Sequence, residues 1–521
     1  MQMITKKMYC DVAVIGGGAA GVSAAISAAR RGQRVIIFEK GAALGGLSTS
    51  GYVTMVAGMI EGNCKEWVLR MEAEGELLRR SPTDDHNPSF DPEYSKYLFE
   101  QLIMESGGRI IFDATCFDVE MDGNKIKTAL FFTKGGWMAV HAKMYIDSTG
   151  DADVAAMSGV PYEVGGADFG GLNMSSTIGT RWSRANFDKY RVANDEWIKE
   201  QADRGIPENK RTVLQYEAER RAVEAGDLDR IYSSVLGPVF FKLPQYPDDC
   251  ADYTTYMFHS YYCRNTDVED ISRQIIEQHR QVIIYEKFLR KYLPGYENVN
   301  LVGIGALPGS RDSRRIYGEY MMKTTDVICG VKFDDGIARF PEFLDTHHPT
   351  SPRQIFMRHG HMKAPAGTAV CHEPTYDLDM HPFVCPPGLE ARPDPRDYCE
   401  VPYRSLVPIG VDNLLVAGRC CSSEFHANGS IRIIGPAMGT GQAAGVAADY
   451  ALKNNVIPRD VDGRDIRKIM VEEDGVELDK IPDGHWNNIR NLKGNLEVAR
   501  FGDFAIIVNP DYDMHKEAAE I

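Results

Sequence analysis

Three glycines near the start of the chain have the spacing of a phosphate-binding loop. Gly16, Gly18 and Gly21 follow an apolar run and open a stretch of small residues, and a second apolar run ends in Glu39. The first glycine allows a tight turn, the second lets a pyrophosphate approach the backbone, and the third lets helix and strand pack closely. The helix N-terminus offers free N–H groups to phosphates, and Glu39 can accept a hydrogen bond from a ribose hydroxyl. This order of elements predicts a dinucleotide site rather than a glycine turn without a ligand.

Three arginines within five residues form a second group that could do chemistry. Arg311, Arg314 and Arg315 lie in a segment bounded by glycines. A guanidinium can hold a carboxylate through two parallel hydrogen bonds, so the cluster could bind an anionic substrate. The same arginines could instead pair with the neighbouring acids Asp312 and Glu319. The sequence leaves both interpretations open.

A parallel α/β unit must position the glycine loop, and the apolar runs predict one. After it, the periodicity predicts helices over 64–80 and 92–106 and strands over 110–112, 117–121, 128–133, 137–142 and 144–147. Residues 161–400 differ in composition, with helical stretches around 183–225 and 268–291 and aromatic strands over 238–243 and 253–262. We interpret this region as a substrate domain inserted into the nucleotide-binding fold.

Length and charge restrict the kind of protein. A chain of 521 residues is too long for one core. The net charge of −16 argues against nucleic acid or an anionic membrane surface as the main partner. No signal peptide or membrane-spanning run is visible, and the 11 scattered cysteines suggest reduced thiols, so we expect a cytoplasmic protein. We predict no metal site, because no zinc-binding pattern matches the spacing of Cys371, His372, His381, Cys385 and Cys399.

Several segments resemble the nucleotide loops of flavoproteins. The run Gly-Gly-Leu-Ser-Thr-Ser-Gly over 45–51 is similar to their second glycine-rich loop, and Asp-Ser-Thr-Gly-Asp over 147–151 resembles the strand that returns to the nucleotide. An apolar strand ending at Gly418 and a small-residue helix from Gly439 follow later in the chain. The N-terminus of that helix could stabilise negative charge on a reduced flavin.

Together these motifs resemble bacterial FAD-dependent oxidoreductases with a glutathione-reductase-type FAD domain, which are distantly similar to fumarate reductase and succinate dehydrogenase flavoproteins. The resemblance implies an α/β fold, with a Rossmann-like FAD-binding domain and an inserted α+β substrate domain. The domains are expected at 1–160 (with a helical excursion at 58–99), 161–399, 400–455 and, as a C-terminal helical segment, 456–521. The histidine that attaches flavin covalently in the fumarate reductase group is not found, so we expect non-covalent FAD.

The resemblance also implies which residues contact the cofactor. These are Gly16, Gly18, Ala19, Ala20, Gly21, Glu39, Lys40, Gly45, Gly46, Ser48, Gly150, Asp151, Gly418, Arg419, Gly439, Gln442 and Ala443. Phe-His-Ala-Asn over 425–428 resembles a His-Gly-Ala-Asn loop whose histidine helps to hold the substrate beside the flavin. That role carries to His426, which we expect on a loop, titrating near neutrality and exchanging a proton. The alternative is a histidine that only bonds the loop backbone.

The predicted reaction is hydride transfer between the flavin N5 and a small polar substrate, anionic or hydroxylated, at an alcohol/ketone or an activated C=C bond. The catalytic candidates are His426, Arg311, Arg314 and Arg432. Two alternatives remain: a flavin monooxygenase, for which no second pyridine-nucleotide motif is visible, and a flavin subunit that passes electrons to a partner. A homo-oligomer is also possible.

Overall fold

The structure, a computed structural model, describes residues 4–58, 60–79, 88–207, 211–228, 241–328, 330–340, 343–350, 354–358 and 398–479. Its helices are α1 Ala19–Arg30, α2 Gly62–Ala73, α3 Pro92–Glu105, α4 Asp153–Met157, α5 Phe187–Asp203, α6 Leu214–Glu224, α7 Val268–Tyr292, α8 Thr324–Ile328, α9 Phe425–Ile431, α10 Ile434–Asn454 and α11 Gly463–Glu472.

The strands, also in chain order, are β1 Ile4–Ile15, β2 Val35–Phe38, β3 Leu77–Leu78, β4 Ser89–Phe90, β5 Arg109–Ile111, β6 Thr115–Asp122, β7 Lys125–Thr133, β8 Gly136–Asp147, β9 Tyr162–Val164, β10 Ser176–Ala185, β11 Phe241–Lys242, β12 Ala251–Ser260, β13 Asn300–Ile304, β14 Arg314–Ile316, β15 Gly336–Phe340, β16 Phe343–His347, β17 Gln354–Arg358, β18 Cys399–Pro402 and β19 Leu414–Val416.

A parallel sheet carries the glycine motif. Its strands lie in the order β5-β2-β1-β8-β19, and each neighbouring pair is parallel. Every residue of β2 is buried, as expected for a parallel strand covered on both faces. The start of β8 also pairs with β7 in antiparallel fashion, and β7 pairs with β6, so a meander extends from the same sheet. This topology confirms the predicted Rossmann-like α/β fold.

Two helices of small residues pack closely on this sheet. Gly441 of α10 faces the backbone of Ala20 in α1, and Gly445 faces that of Ala24. A Cβ at either glycine would collide with the facing carbonyl oxygen. The close approach of α10 to α1 therefore requires glycine at both positions.

A second sheet, with the antiparallel order β11-β12-β10-β13, occupies the region predicted to bind substrate. Its core with α7 includes Trp182, Phe258 and Tyr285. Toward the first sheet, the Thr254 and Thr54 hydroxyls form a hydrogen bond of 2.5 Å. The substrate region thus contacts the segment that follows the second glycine-rich loop.

Local predictions differ from the structure in three places. Residues 176–185 form strand β10, and the helix predicted from about 183 begins at Phe187. The helix predicted over 64–80 ends at Ala73, because Gly75 turns the chain with φ of +75°. The two strands predicted over 137–147 are one continuous strand, β8.

The division into domains remains a prediction. Within the predicted C-terminal segment, α11 is described, and residues 480–521 lie outside the described part of the chain. Among the helices given above, none has both the length and the hydropathy that crossing a membrane requires.

Candidate active site

The two glycine-rich loops lie against each other at the N-terminus of α1. The Gly45 N–H donates to the Gly17 carbonyl oxygen at 2.7 Å. Gly16 has φ of +101°, and a Cβ there would lie 2.5 Å from the Ser148 carbonyl oxygen. A Cβ at Gly18, in contrast, would meet no protein atom within 4 Å. The open space beside Gly18, at a helix N-terminus, fits the approach of a pyrophosphate.

Glu39 helps to shape this loop. Its carboxylate accepts the N–H groups of Gly17 and Gly41, each at 2.7 Å. The predicted ribose contact would therefore come from a carboxylate that the loop backbone already orients. Lys40, the next residue, is exposed.

A hydrogen bond within the second glycine-rich loop stabilises its conformation. The Ser48 hydroxyl donates to the Gly45 carbonyl oxygen at 2.8 Å. A Cβ at Gly46 would lie 3.1 Å from the Gly18 Cα. Gly46 therefore lies beside the open space at Gly18, and the Ser48 hydroxyl is bound within its own loop.

The ends of β8 and β19 are joined by Arg419. Its Nε donates to the Gly150 carbonyl oxygen at 2.7 Å, and its Nη2 lies 2.7 Å from the Asp151 carboxylate. Its Nη1 donates to the Ser310 carbonyl oxygen. The guanidinium of Arg419 thus binds protein groups, and the cofactor contact predicted for this residue stays a prediction. It also fixes the arginine segment at the carboxyl edge of the parallel sheet, where α/β folds bind ligands.

The cofactor contacts predicted on α10 stay predictions, and its side chains have the following protein contacts. The helix begins at Ile434, so Gly439 is not at its N-terminus, and a Cβ at Gly439 would meet Ala338. Gln442 accepts the Asn63 N–H and donates to Asp474. Ala443 is fully buried in the core. Ala20 is nearly fully buried and packs beside Gly418 and Gly441. Ala19, at the start of α1, is partly exposed.

Arg311 and Arg432 both belong to a largely buried cluster of polar side chains around Asp345, which we call the arginine pocket. Arg311 is 8% exposed, and its Nη1 donates to the Ser175 carbonyl oxygen at 2.6 Å. Arg432 Nη2 donates to the Asp345 carboxylate at 2.9 Å. Burial and the nearby Arg432 lower the pKa of Arg311 to about 10, which leaves it charged at neutral pH.

Other polar side chains surround the two arginines. His347 Nε2 lies 3.0 Å from Asp345 Oδ1, and burial and Arg311 lower the pKa of His347 to about 4. Burial alone would raise the pKa of Asp345, but contact with His347 and Arg432 lowers it. The Ser175 hydroxyl lies 3.0 Å from His259 Nδ1, and the His259 ring lies 5.4 Å from that of His347.

Asp345, His347, Ser175 and His259 were not predicted as site residues. Asp345 and His347 occupy alternate positions of β16, a polar alternation that could have marked a strand with one face toward a polar site.

Arg314 lies apart from Arg311 and Arg432, and its catalytic role stays a prediction. Its Nη1 donates to the Asp151 carbonyl oxygen and the Asp153 carboxylate, both at 2.9 Å. Arg315 is buried and contacts Asp312 and the Gly165 carbonyl oxygen. Arg314 and Arg315 therefore form ion pairs with acids of the protein, as one of the two interpretations predicted. Of the three arginines, Arg311 alone lies with Arg432.

His426 lies on helix α9 rather than on the predicted loop. Its Nδ1 is 3.4 Å from the Thr346 hydroxyl, and its ring stands against those of Phe169 and Phe425. Thr346 lies between Asp345 and His347 on β16, and neighbouring strand residues point to opposite faces. His426 and the arginine pair are therefore on opposite sides of β16.

The expectation that His426 titrates near neutrality is wrong. Burial lowers its pKa to about 4; Asp168 opposes this effect, and Arg315 adds to it. His426 is neutral at pH 7. Its role in catalysis stays a proposal, and that role no longer predicts a change of reaction rate with pH near neutrality.

We expect His426→Ala to flatten the acid dependence of stability. The unfolded histidine, with a pKa near 6.5, binds a proton between pH 6.5 and 4 while the folded one does not, so stability falls as pH falls through that window. The contribution is roughly 1–3 kcal/mol. Denaturant melts at pH 7 and pH 4.5 measure it, with exposed His279→Ala as control. An unchanged acid slope in His426→Ala would contradict the lowered pKa.

No group of three or more metal-ligating side chains occurs within the described ranges. Of the cysteines and histidines considered for zinc, Cys399 is described and buried. Cys371, His372, His381 and Cys385 lie outside the described residues.

Comparison with known proteins decides the family. The model of the family described as FAD dependent oxidoreductase matches residues 11–470. The chain belongs to this family. It is therefore an FAD-dependent oxidoreductase, as the motifs predicted, and its cofactor is FAD. A search of curated proteins found no match.

Solved structures similar to this oxidoreductase are distant. A geranylgeranyl bacteriochlorophyll reductase-like protein from Thermoplasma acidophilum is 11% identical, with 99% of this chain and 96% of that chain covered and a TM-score of 0.43. The p-nitrophenol 4-monooxygenase PnpA from Pseudomonas putida DLL-E4 is 10% identical, with coverage of 99% and 98% and a TM-score of 0.43. The family membership rests on the sequence match and not on these structures.

Proposed function

We propose that this oxidoreductase is a dehydrogenase or reductase of a small substrate that carries an anionic group, and that it holds FAD non-covalently. The observation that carries the proposal is the state of Arg311. Within the described residues this buried guanidinium has one hydrogen bond, to the Ser175 carbonyl oxygen, and no ion pair. The Asp345 carboxylate stabilises the charge of Arg311 without forming an ion pair with it. Burying an incompletely paired charge is costly, and a substrate anion would offset part of that cost.

The position of the pocket supports the same proposal. Arg311 follows Ser310, which Arg419 ties to Gly150 at the end of β8. Ser175 precedes β10 of the second sheet. The pocket thus lies between the carboxyl edge of the nucleotide-binding sheet and the substrate region, where an anchored substrate would be next to the cofactor.

The chain's own residues bind and orient, while the cofactor supplies the redox chemistry. When bound, FAD accepts or donates a hydride at its N5. Arg311 holds the anionic group and so fixes which substrate carbon faces the cofactor. Burial of the pocket excludes water and strengthens the charge–charge contact. The reacting bond is C–OH/C=O or an activated C=C.

Anaerobic reduction of the purified protein tests the proposal. We expect a yellow protein that releases FAD on denaturation, because the attachment is non-covalent. After photoreduction, a panel of small carboxylates, hydroxy acids and oxo acids should include one that reoxidises the flavin without oxygen. Rapid NADPH consumption with oxygen uptake would instead favour a monooxygenase, and reoxidation only by a copurifying protein would favour an electron-transfer subunit.

A further inference from the structure

A fully buried carboxylate, that of Asp147, lies at the end of β8 beside the glycine loop and has no role in the proposed reaction. We propose that Asp147 is a positioning residue for FAD: its ionised carboxylate fixes the turn over 148–152 against the glycine loop, so the protein binds FAD more tightly while Asp147 is charged. The inference rests on the non-covalent FAD of the proposed function and is independent of the substrate.

The carboxylate of Asp147 binds the chain on both sides of this turn. Its Oδ1 accepts the Thr149 N–H at 3.0 Å and the Thr149 hydroxyl at 2.8 Å. Its Oδ2 accepts the N–H of Ala155, in the first turn of α4, at 2.9 Å. Three donors on one buried carboxylate thus fix the path of the chain between β8 and α4.

The turn needs this support because its backbone conformation is unfavourable. Gly150, a predicted cofactor contact, has φ of +79°, and the fully buried Ala152 has φ of +54°. A residue with a side chain keeps a left-handed conformation only where the surrounding contacts hold it. The hydrogen bonds of Asp147 are such contacts, together with the bond from Arg419 to the Gly150 carbonyl oxygen.

The start of the turn packs directly on the glycine loop. The Ser148 hydroxyl lies 3.0 Å from the Ile15 carbonyl oxygen and 2.8 Å from that of Gly16. A Cβ at Gly16 would lie 2.5 Å from the Ser148 carbonyl oxygen, and one at Gly21 would lie 2.6 Å from the Ser148 hydroxyl. Because no space separates the two segments, a change in the path of the chain after Asp147 displaces the loop that is predicted to bind the pyrophosphate.

Asp147 changes its charge at mildly acidic pH. Burial raises its pKa to about 6, and the nearby Asp153 carboxylate of α4 contributes to this increase. The thiols of Cys116, on β6, and Cys420, after β19, also interact electrostatically with Asp147. Burial raises the pKa of both thiols far above neutrality, so they stay uncharged at pH 7 and below.

Protonation weakens the support of the turn. An ionised carboxylate only accepts hydrogen bonds, whereas a protonated one carries a donor of its own. Hydrogen bonds to a charged acceptor are also about twice as strong as those between neutral groups. When FAD selects the protein with ionised Asp147, its apparent affinity follows the ionised fraction. That fraction decreases as pH falls through the pKa, so the affinity should decrease roughly 10-fold from pH 7 to pH 5.

The dissociation constant of FAD, measured as a function of pH, tests the inference. The FAD-loaded protein is diluted at each pH, and free FAD is separated by ultrafiltration. We expect the constant to rise roughly 10-fold from pH 7 to pH 5, about 1.4 kcal/mol, and to recover when the pH returns to 7. Asp147→Asn should bind FAD at pH 7 about as weakly as the unaltered protein does at pH 5, with no further change on acidification.

Two neighbouring variants should move the midpoint of this change in opposite directions. Thr149→Val keeps the shape of the side chain but removes the hydroxyl donor that stabilises the ionised carboxylate, so FAD should be lost at higher pH. Asp153→Asn removes a like charge, so the midpoint should move to lower pH while the change itself remains. A merely structural role of Asp147 predicts a lower melting temperature in these variants and no shift of a midpoint.

An FAD affinity that is constant from pH 7 to pH 5, or that increases as pH falls, would overturn the inference. So would the same acid response in a folded Asp147→Asn variant. If that variant does not fold, the midpoints of Thr149→Val and Asp153→Asn decide: shifts in the stated directions support the inference, and unmoved midpoints contradict it. Failure of the proposed function would appear instead as a flavin that no panel compound reoxidises, and the affinity for FAD and its pH dependence would still be measured.

Discussion

Gly18→Val is expected to abolish FAD binding and to leave the fold of the apoprotein intact. The Cβ at position 18 would meet no protein atom within 4 Å, and φ there is −68°, a value that valine adopts readily. The added side chain instead fills the space through which the pyrophosphate approaches the backbone. Titration of apoprotein with FAD should show an affinity loss of at least ~100-fold, about 2.7 kcal/mol. The melting temperature of the apoprotein should change little.

Gly16→Val provides the matched comparison at the same loop. A Cβ at Gly16 would lie 2.5 Å from the Ser148 carbonyl oxygen, and its φ of +101° strains any residue with a side chain. This variant should therefore lose apoprotein stability as well as FAD. Gly18→Val that keeps full FAD affinity, or that unfolds like Gly16→Val, would contradict the assignment of the open space to the cofactor.

Arg311→Lys is expected to weaken binding of the tightest-binding carboxylate of the panel roughly 10- to 100-fold with only a small loss of thermal stability. A lysine keeps the positive charge but cannot form two parallel hydrogen bonds to a carboxylate. The loss matches one hydrogen bond to a charged group, about 1.5–3 kcal/mol. Dissociation constants from flavin absorbance and melting temperatures are measured on the same preparation.

Arg314→Lys is the control within the same segment. Its guanidinium is bound to Asp151 and Asp153, apart from Arg311, so the affinity for the same carboxylate should stay within twofold, about 0.4 kcal/mol. If Arg311→Lys loses stability and keeps its affinity for the ligand, Arg311 serves only to hold the Ser175 segment.

The nucleotide-binding half of this protein was predictable because its signals are local. The glycines, the second buried strand and Glu39 fall within 24 residues, from Gly16 to Glu39, directly after the first buried strand, and their predicted roles follow from backbone geometry. The sheet order confirms the fold and the family model confirms the cofactor. Contacts across the chain did not follow from local spacing: the side chains of Arg419 and Gln442 bind protein groups.

The sequence alone determined that this chain is an FAD-dependent oxidoreductase with a Rossmann-like sheet, and it named Arg311, Arg432, Arg314 and His426 as catalytic candidates. Only the tertiary structure decided which side chains meet them. Asp345 comes from β16, Ser175 from the residue before β10, and Arg432 from the junction of α9 and α10. These segments are far apart in sequence and each is unremarkable alone. Their contact depends on how the two sheets pack, which no local pattern encodes. The alternation of side chains along β16 then places the two arginines and His426 on opposite sides of this strand.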